Sequence, residues 1–341
     1  MHIGIDLMGG DNPPALLFPA ILQAAKQLPS HQTLLVIATK SVVDQLSPII
    51  ISSLPTDACA RISFQECEEV ITMEDDPLTA VRKKKNSSLV VGMGLLKTKR
   101  IDALVSCGNT GALIASAALI LPLLRDVSHP ALLVTLPTAK GPVAVLDVGG
   151  NVINKSEQLV RFAFLGAAYQ RAILGIKSPK VGLLNVGIES RKGTLEVRKA
   201  YEILAGYCKT AASEYIIPDF VFSGNIEARD LFKGTVDVLV TDGFTGNILL
   251  KTAEGVASFI FESLKDKIIG KSTPEVEKSF NDLKKQFNYA EYPGAIVCGV
   301  DGLVVKVHGN ASAESLLVSI FSAMDCIQKK IISHIIGKSP F

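Results

Sequence analysis

The chain contains two near copies of one pattern. Residues 101–114 read IDALVSCGNTGALI and residues 236–249 read VDVLVTDGFTGNIL. Asp102 matches Asp237, Leu104 Leu239, Val105 Val240, Gly108 Gly243, Thr110 Thr245 and Gly111 Gly246. Each copy is an apolar run that predicts a strand covered on both faces, then G-x-T-G, then a helix-compatible run. A chain built this way must stack strand–turn–helix units. A glycine-rich turn entering a helix offers unpaired backbone N–H groups and the positive end of the helix dipole. Two ordinary connections that use glycine only for geometry would look the same. The duplication, with further Gly-Asn turns beside it, favours binding of phosphate or carboxylate.

Other strand-like runs are Ile3–Leu7, Leu34–Ala38, Ala131–Leu136, Val143–Val148, Val181–Val186, Phe220–Phe222 and Leu303–Val307. Most are continuously apolar and alternate with helical stretches. That predicts a three-layer α/β/α sandwich with a largely parallel, mixed sheet. The length of 341 residues fits one large α/β domain or two smaller ones, and a single two-lobed α/β domain over residues 1–341 is expected. A helix is predicted over Ser156–Leu174, with Asn154 and Glu157 as a capping box. The last helix is predicted from Ala311 to about Ile332.

One stretch, residues 248–290, breaks the alternation with two successive helices and no strand. Val256, Phe259, Ile260, Leu264 and Ile268 line the first, and Val276, Phe280, Leu283 and Phe287 the second, after Thr273 as cap and Pro274 in the first turn. Such narrow seams fit a projecting hairpin that pairs with its copy, or one folded back on its own core.

Hydrophobic residues make up 48% of the chain, yet no apolar stretch is long enough to span a membrane; the longest, Ala112–Leu124, contains Pro122. The start, Met1-His2-Ile3-Gly4-Ile5-Asp6, lacks the features of a signal peptide, so a cytoplasmic protein is expected. The six cysteines are scattered with no C-x-x-C pair, and the five histidines lack ligand spacing, so no metal is expected; no cofactor is expected either, because lysine, asparagines and glycine turns supply the groups that binding and transfer of an anion need. Cys107 sits in the first G-x-T-G turn, but Asp242 replaces it in the second, which argues against a shared thiol role. A net charge of +2 implies no general attraction to nucleic acid. The run Arg82-Lys83-Lys84-Lys85, followed by Lys97, Lys99 and Arg100, is either a solvated face or a patch for an acidic partner or phosphorylated substrate.

Five Gly-Asn pairs, at 108–109, 150–151, 224–225, 246–247 and 309–310, follow strand-like runs for the most part. Asparagine there serves turn geometry or donates to an oxyanion. Lys192, beside Gly193 after another strand, suits a phosphate oxygen. No P-loop, no G-x-G-x-x-G and no nucleophile elbow is present.

Ile5-Asp6-Leu7-Met8-Gly9-Gly10-Asp11-Asn12, Arg82–Leu89, Ser106–Leu113, Leu146–Asn151, Gly224–Asp230, Asp242–Asn247 and Lys306–Gly309 together closely resemble the acyl-ACP:phosphate acyltransferases of bacterial phospholipid synthesis. The resemblance spans almost the whole chain in order. Departures are Gly150 where alanine is usual, a less acidic Ile188–Arg191, and Pro293 with Ile296-Val297 in a stretch usually richer in glycine and proline. The resemblance implies a fold like isopropylmalate dehydrogenase and phosphotransacetylase. It implies transfer of a long acyl chain from acyl carrier protein to inorganic phosphate, by a homodimer peripherally touching the cytoplasmic membrane. Contact with a downstream glycerol-3-phosphate acyltransferase is a further expectation. It gives Lys192 and Asn247 a catalytic role. The residues expected to bind substrate or phosphate are Gly108, Asn109, Thr110 and Gly111, then Asn151, Asn225, Asp242, Gly243, Thr245, Gly246 and His308.

These residue types suit that chemistry. Phosphate is already nucleophilic near neutral pH, so the enzyme needs oxyanion donors and a cation rather than a strong base. Direct attack without an acyl-enzyme is expected. A phosphotransacetylase-like enzyme using coenzyme A is the nearest rival, and a non-catalytic membrane-bound scaffold is the rival from another class.

Overall fold

The computed structural model describes residues 1–125, 127–213, 219–287 and 294–336. In chain order the elements begin β1 (His2–Asp6), α1 (Pro14–Gln27), β2 (Thr33–Thr39), α2 (Lys40–Ser53), α3 (Thr56–Cys59), β3 (Ile62–Cys67), α4 (Pro77–Lys83) and α5 (Ser88–Lys97). Next come β4 (Ala103–Ser106), α6 (Thr110–Ile120), β5 (Ala131–Leu136), β6 (Val143–Leu146), α7 (Ser156–Leu174), β7 (Lys180–Leu184), α8 (Leu195–Ser213) and β8 (Val221–Ile226). A 3-10 helix (Ala228–Lys233) leads to β9 (Val238–Val240), α9 (Gly243–Ile268), α10 (Pro274–Phe287), β10 (Ala295–Cys298), β11 (Leu303–Lys306), α11 (Ala313–Gln328) and α12 (Ile331–Ile336). Helices lie on both sides of the sheet, the predicted mixed α/β architecture.

Two compact units make up the chain. Unit 1 comprises Met1–Val134, Ala168–Ile176 and Pro293–Phe341; unit 2 comprises Thr135–Ala167 and Lys177–Tyr292.

In unit 1 the strand order is β3-β2-β1-β4-β11-β10-β5. The first five strands are parallel, and β10 runs antiparallel to both β11 and β5. All four residues of β4 and of β11 are buried, as their apolar runs predict. Ile3, Ile5, Leu17, Phe18, Ile21, Leu34 and Leu46 fill the core, each burial worth about 1.5–3 kcal/mol.

In unit 2 the order is β6-β9-β7-β8, all parallel. Its core includes a three-ring cluster: Phe164 meets Tyr207 and Phe220 edge-on, with centroids at 5.1 and 5.0 Å. These contacts pack α7 against α8 and the entry to β8.

Helix α7 occupies its predicted bounds, but the predicted capping box does not form around Asn154. The Asn154 Oδ1 instead accepts from the Gly243 N–H at 3.3 Å, a long-range contact invisible to local spacing. Two strands escape the hydrophobic pattern: β3, an edge strand half exposed through Gln65 and Glu66, and the short β10. The last helix is two, α11 and α12, because Lys330 adopts a left-handed φ of 50° between them.

Helices α9 and α10 follow each other with no strand between, and Phe261 packs edge-on against Phe280 at 5.8 Å. Val256, Phe259, Ile260, Leu264, Val276 and Leu283 stay exposed. Residues 288–290 of the predicted hairpin, and Pro293, lie outside the described residues.

Candidate active site

The carboxyl ends of the parallel strands of unit 2 gather most of the candidate residues, as expected for an open α/β sheet. Leu146 and Leu183 both pair with Val240, so the segments after β6, β9 and β7 emerge side by side. The segment after β6 turns through Gly149, at φ 123°, into Gly150 and Asn151. Asp147, fully buried, holds that turn by accepting from the amides of Gly150 at 2.8 Å and Asn151 at 2.7 Å and from the Asn151 Nδ2 at 2.8 Å. The Asn151 carbonyl then accepts from the Gly243 N–H at 2.9 Å, tying the turn to the start of α9. At Gly246 any Cβ would overlap the Asp147 carbonyl, so the close approach of α9 to β6 demands glycine there.

Asn247 lies on the exposed first turns of α9, with its side chain beside Gly149. The segment after β7 carries Lys192. Asn185 Nδ2 donates to the Lys192 carbonyl at 3.0 Å, the Lys192 amide donates to Glu189 O at 3.1 Å, and Asn225 Nδ2 donates to the same Glu189 carbonyl at 2.8 Å. The Lys192 side chain is exposed and forms no ion pair among the described residues. Asn154 Nδ2 and Asn225 Oδ1 are buried without a hydrogen-bond partner among the described residues, at a cost of about 1–3 kcal/mol each.

The two G-x-T-G turns are not equivalent. At the second, Asp242 caps α9: Oδ1 accepts from the Thr245 N–H at 2.8 Å and Oδ2 from the Thr245 hydroxyl at 2.8 Å. The chain's own carboxylate therefore sits on that helix start, and Gly243 donates to Asn151. At the first, in unit 1, neutral Asn109 caps α6, its Oδ1 accepting from Ala112 N at 3.1 Å. Its Nδ2 faces the carbonyls of Thr72 and Met73, each at 3.2 Å, so this asparagine is a turn holder. Thr110 and Gly111 occupy the first turn beyond it, and the Gly108 amide donates to Ser106 Oγ at 3.1 Å.

His308, exposed at the end of β11, emerges beside this turn, since Lys306 pairs with Ser106. Thus Gly108–Gly111 and His308 share the carboxyl edge of unit 1. Asn151, Lys192, Asn225, Asp242, Gly243, Thr245, Gly246 and Asn247 share that of unit 2.

The structure also shows what surrounds Cys107 and the basic run. Cys107 is fully buried, and burial pushes its thiol up to about 12, far from a reactive thiolate. Lys84 of the basic run donates to Val70 O at 2.8 Å and to Asp75 Oδ2 at 2.6 Å. That bond, first among the causes, holds the Asp75 carboxyl below its usual range. Lys99 reaches Asp301 at 3.3 Å, whereas Lys83 is exposed on α4.

Sequence reasoning missed the roles of Asp6 and Asp147 and misread that of Asn154. The available signal was an aspartate closing an apolar strand just before Gly-Gly, in Asp6-Leu7-Met8-Gly9-Gly10 and again in Asp147-Val148-Gly149-Gly150. Among the described residues no helix is long and apolar enough to cross a membrane, and no three His, Cys, Asp or Glu side chains converge as a metal site.

The model of the fatty acid synthesis protein family matches residues 1–334. A phosphate acyltransferase of Chlamydia pneumoniae is 39% identical over 341 residues, covering 99% of this chain and 98% of its own. A phosphate acyltransferase of Alkaliphilus oremlandii is 36% identical over 340 residues, covering 98% and 96%. Among solved structures, a phosphotransacetylase from Streptococcus pyogenes has a TM-score of 0.61 at 15% identity over 96% of this chain and 94% of its own. One from Staphylococcus aureus has 0.59 at 16% identity, over 95% and 94%. These structures share the fold. With a family match over nearly its whole length, the chain belongs to the fatty acid synthesis protein family and is an acyltransferase.

Proposed function

We propose that the chain moves a long fatty acyl group from acyl carrier protein to inorganic phosphate, giving acyl-phosphate for phospholipid synthesis. The observation that carries this reading is the pairing on one edge of unit 2 of an exposed, backbone-held cation, Lys192, with an exposed helix-borne amide, Asn247. The phosphate acyltransferase relatives support phosphate as the acceptor.

In this mechanism a phosphate oxygen attacks the thioester carbonyl. The C–O bond forms, the carbonyl electrons move onto oxygen, and Asn247 donates to that oxyanion. Collapse breaks the C–S bond and expels the carrier thiolate, which takes up a proton. Lys192 neutralises phosphate and holds it in line. The turn of Gly108, Asn109, Thr110 and Gly111, with His308, binds substrate anion. Asn151 and Asn225 hold the segments of Asn247 and Lys192. Asp242, Gly243, Thr245 and Gly246 shape the turn that starts α9. The reaction draws on these groups alone and forms no acyl-enzyme.

The exposed seam of Val256, Phe259, Ile260 and Leu264 on α9 supports a homodimer through α9 and α10. Peripheral contact with the cytoplasmic membrane, and with a downstream glycerol-3-phosphate acyltransferase, belongs to the same proposal. Incubation with long-chain acyl carrier protein and labelled phosphate tests it. Labelled acyl-phosphate is expected, faster than from acyl-CoA. Preference for short acyl-CoA would make the chain phosphotransacetylase-like, and no exchange with any thioester would leave the scaffold.

A further inference from the structure

Asp6 and Asp147 occupy matching positions in the two units. Asp6 ends β1, which runs parallel beside β4 with Asp6 opposite Ser106. Asp147 follows β6, which runs parallel beside β9, and its amide donates to Thr241 O at 2.9 Å. Ser106 and Thr241 are equivalent residues of the repeated pattern. Both carboxylates are buried, at 1% and 0% exposure, and a Gly-Gly pair follows each.

Their hydrogen bonds lead to the same place. Asp6 Oδ1 accepts from the Met8 amide at 3.0 Å, and Oδ2 accepts from the Ser106 hydroxyl at 2.7 Å. Ser106 Oγ in turn accepts from the Gly108 N–H. Asp147 accepts from Asn151, whose carbonyl accepts from the Gly243 N–H. Gly108 and Gly243 are the equivalent first glycines of the two G-x-T-G turns. Each buried aspartate therefore grips the neighbouring turn through one intermediary: the Ser106 hydroxyl in unit 1, and in unit 2 Asn151, whose N–H groups bind Asp147 and whose carbonyl accepts from Gly243.

We propose that Asp6 and Asp147 are positioning residues, two copies of one device that sets the first glycine of the adjacent G-x-T-G turn. The inference rests on the functional reading above for what those turns do. In unit 2 the device sets α9 and with it Asn247; in unit 1 it sets the substrate-anion turn.

The chemistry of the intermediaries predicts an asymmetry. Both Asp147 oxygens accept from N–H groups, which cannot reverse, so Asp147→Asn points an NH2 at a donor and breaks the grip without changing volume. The hydroxyl on Asp6 Oδ2 can reverse, so Asp6→Asn keeps a hydrogen bond to Ser106, while Ser106→Ala removes the link. With long-chain acyl carrier protein and phosphate as substrates, Asp147→Asn should lower kcat about a hundredfold, the cost of a misplaced reacting group, with both KM values nearly unchanged. Ser106→Ala should raise the KM of the one substrate whose anion the unit 1 turn binds about tenfold and leave kcat nearly unchanged; Asp6→Asn should do less.

Wild-type kcat in folded Asp147→Asn, or losses that track the folded fraction by circular dichroism, would overturn the proposal. Hydrogen exchange provides a readout independent of turnover. Faster exchange confined to residues 241–247 in Asp147→Asn and to 106–111 in Ser106→Ala supports it; unchanged or global exchange overturns it. If wild type makes no acyl-phosphate, the functional reading fails, and exchange alone decides the positioning role.

Discussion

Asn185 holds Lys192 by its backbone and leaves its ammonium in solvent. The Asn185 Nδ2 donates to the Lys192 carbonyl at 3.0 Å, and the same side chain accepts from the Val186 amide at 2.8 Å. Gly193, at φ 86°, closes the turn so tightly that a Cβ would overlap Asn185. A long flexible lysine is thus mounted on a fixed base, which suits a charge that must meet a small anion. Removing that charge, or the Asn247 amide, tests the catalytic roles proposed for them. Lys192→Ala and Asn247→Ala should each slow acyl-phosphate formation about a hundredfold or more. Both side chains are exposed, so thermal midpoints should barely move. Near-normal turnover in both variants refutes the assignment.

The thiols give a check on the direct-attack mechanism. Burial raises Cys107 and Cys326 to about 12 and Cys67 to about 11. At pH 8 their thiolate fractions are on the order of one in a thousand or less. Native protein treated with iodoacetamide at pH 8 should therefore leave these three unmodified, as read by peptide mass spectrometry. Cys107→Ser should retain most activity. An acyl group trapped on Cys107 would require an acyl-enzyme instead.

The basic run divides into structural and exposed charges. Lys84 bridges Val70 O and Asp75, so Lys84→Glu should lower thermal stability by setting two carboxylates together. The Asp75 carboxyl is held low, so its contribution is complete above the ordinary carboxylate pKa and is lost as pH falls through the depressed value. Lys83→Glu should leave stability unchanged and raise the apparent KM for acyl carrier protein, more at low salt than at high. Lys99→Glu should do so more weakly, since Asp301 already engages Lys99. A salt-independent KM in Lys83→Glu assigns the run to a solvated face.

Legibility in the sequence followed the range of the forces involved. Strands β4, β6, β9 and β11 are buried on both faces and announce themselves as apolar runs. Strand β3 lies at an edge with only its end residues, Ile62 and Cys67, buried and with Gln65 and Glu66 side by side, and does not. Helix α7 keeps the bounds predicted for it, whereas Asn154 was misread because its partner, Gly243, is distant in sequence. The left-handed Lys330 splits the final helix where a glycine would have given warning. At the candidate site the glycines and asparagines were visible as types, but their division of labour was not. That Asn109 caps α6, and that Asp242 occupies its own helix start, depends on hydrogen bonds that spacing does not encode.

The turn between α9 and α10 carries the last prediction. Helix α9 ends at Ile268 and α10 begins at Pro274, with Lys267 and Lys271 in the intervening stretch or beside it. Ile269 is 40% exposed, and Ile268 is half-buried. Inserting one isoleucine into a bilayer surface contributes about 1.5–3 kcal/mol, and each lysine near anionic lipid adds about 1 kcal/mol. Two turns in a homodimer would double that sum, enough for reversible peripheral binding and far short of insertion. The double variant Ile268→Asp, Ile269→Asp should stay folded, dimeric and active on soluble acyl carrier protein. It should no longer sediment with liposomes of anionic phospholipid, which wild type should follow at low salt. Unfolding or dissociation would assign the isoleucines to the packing of α9 and α10, and normal sedimentation would move the membrane contact elsewhere on the chain.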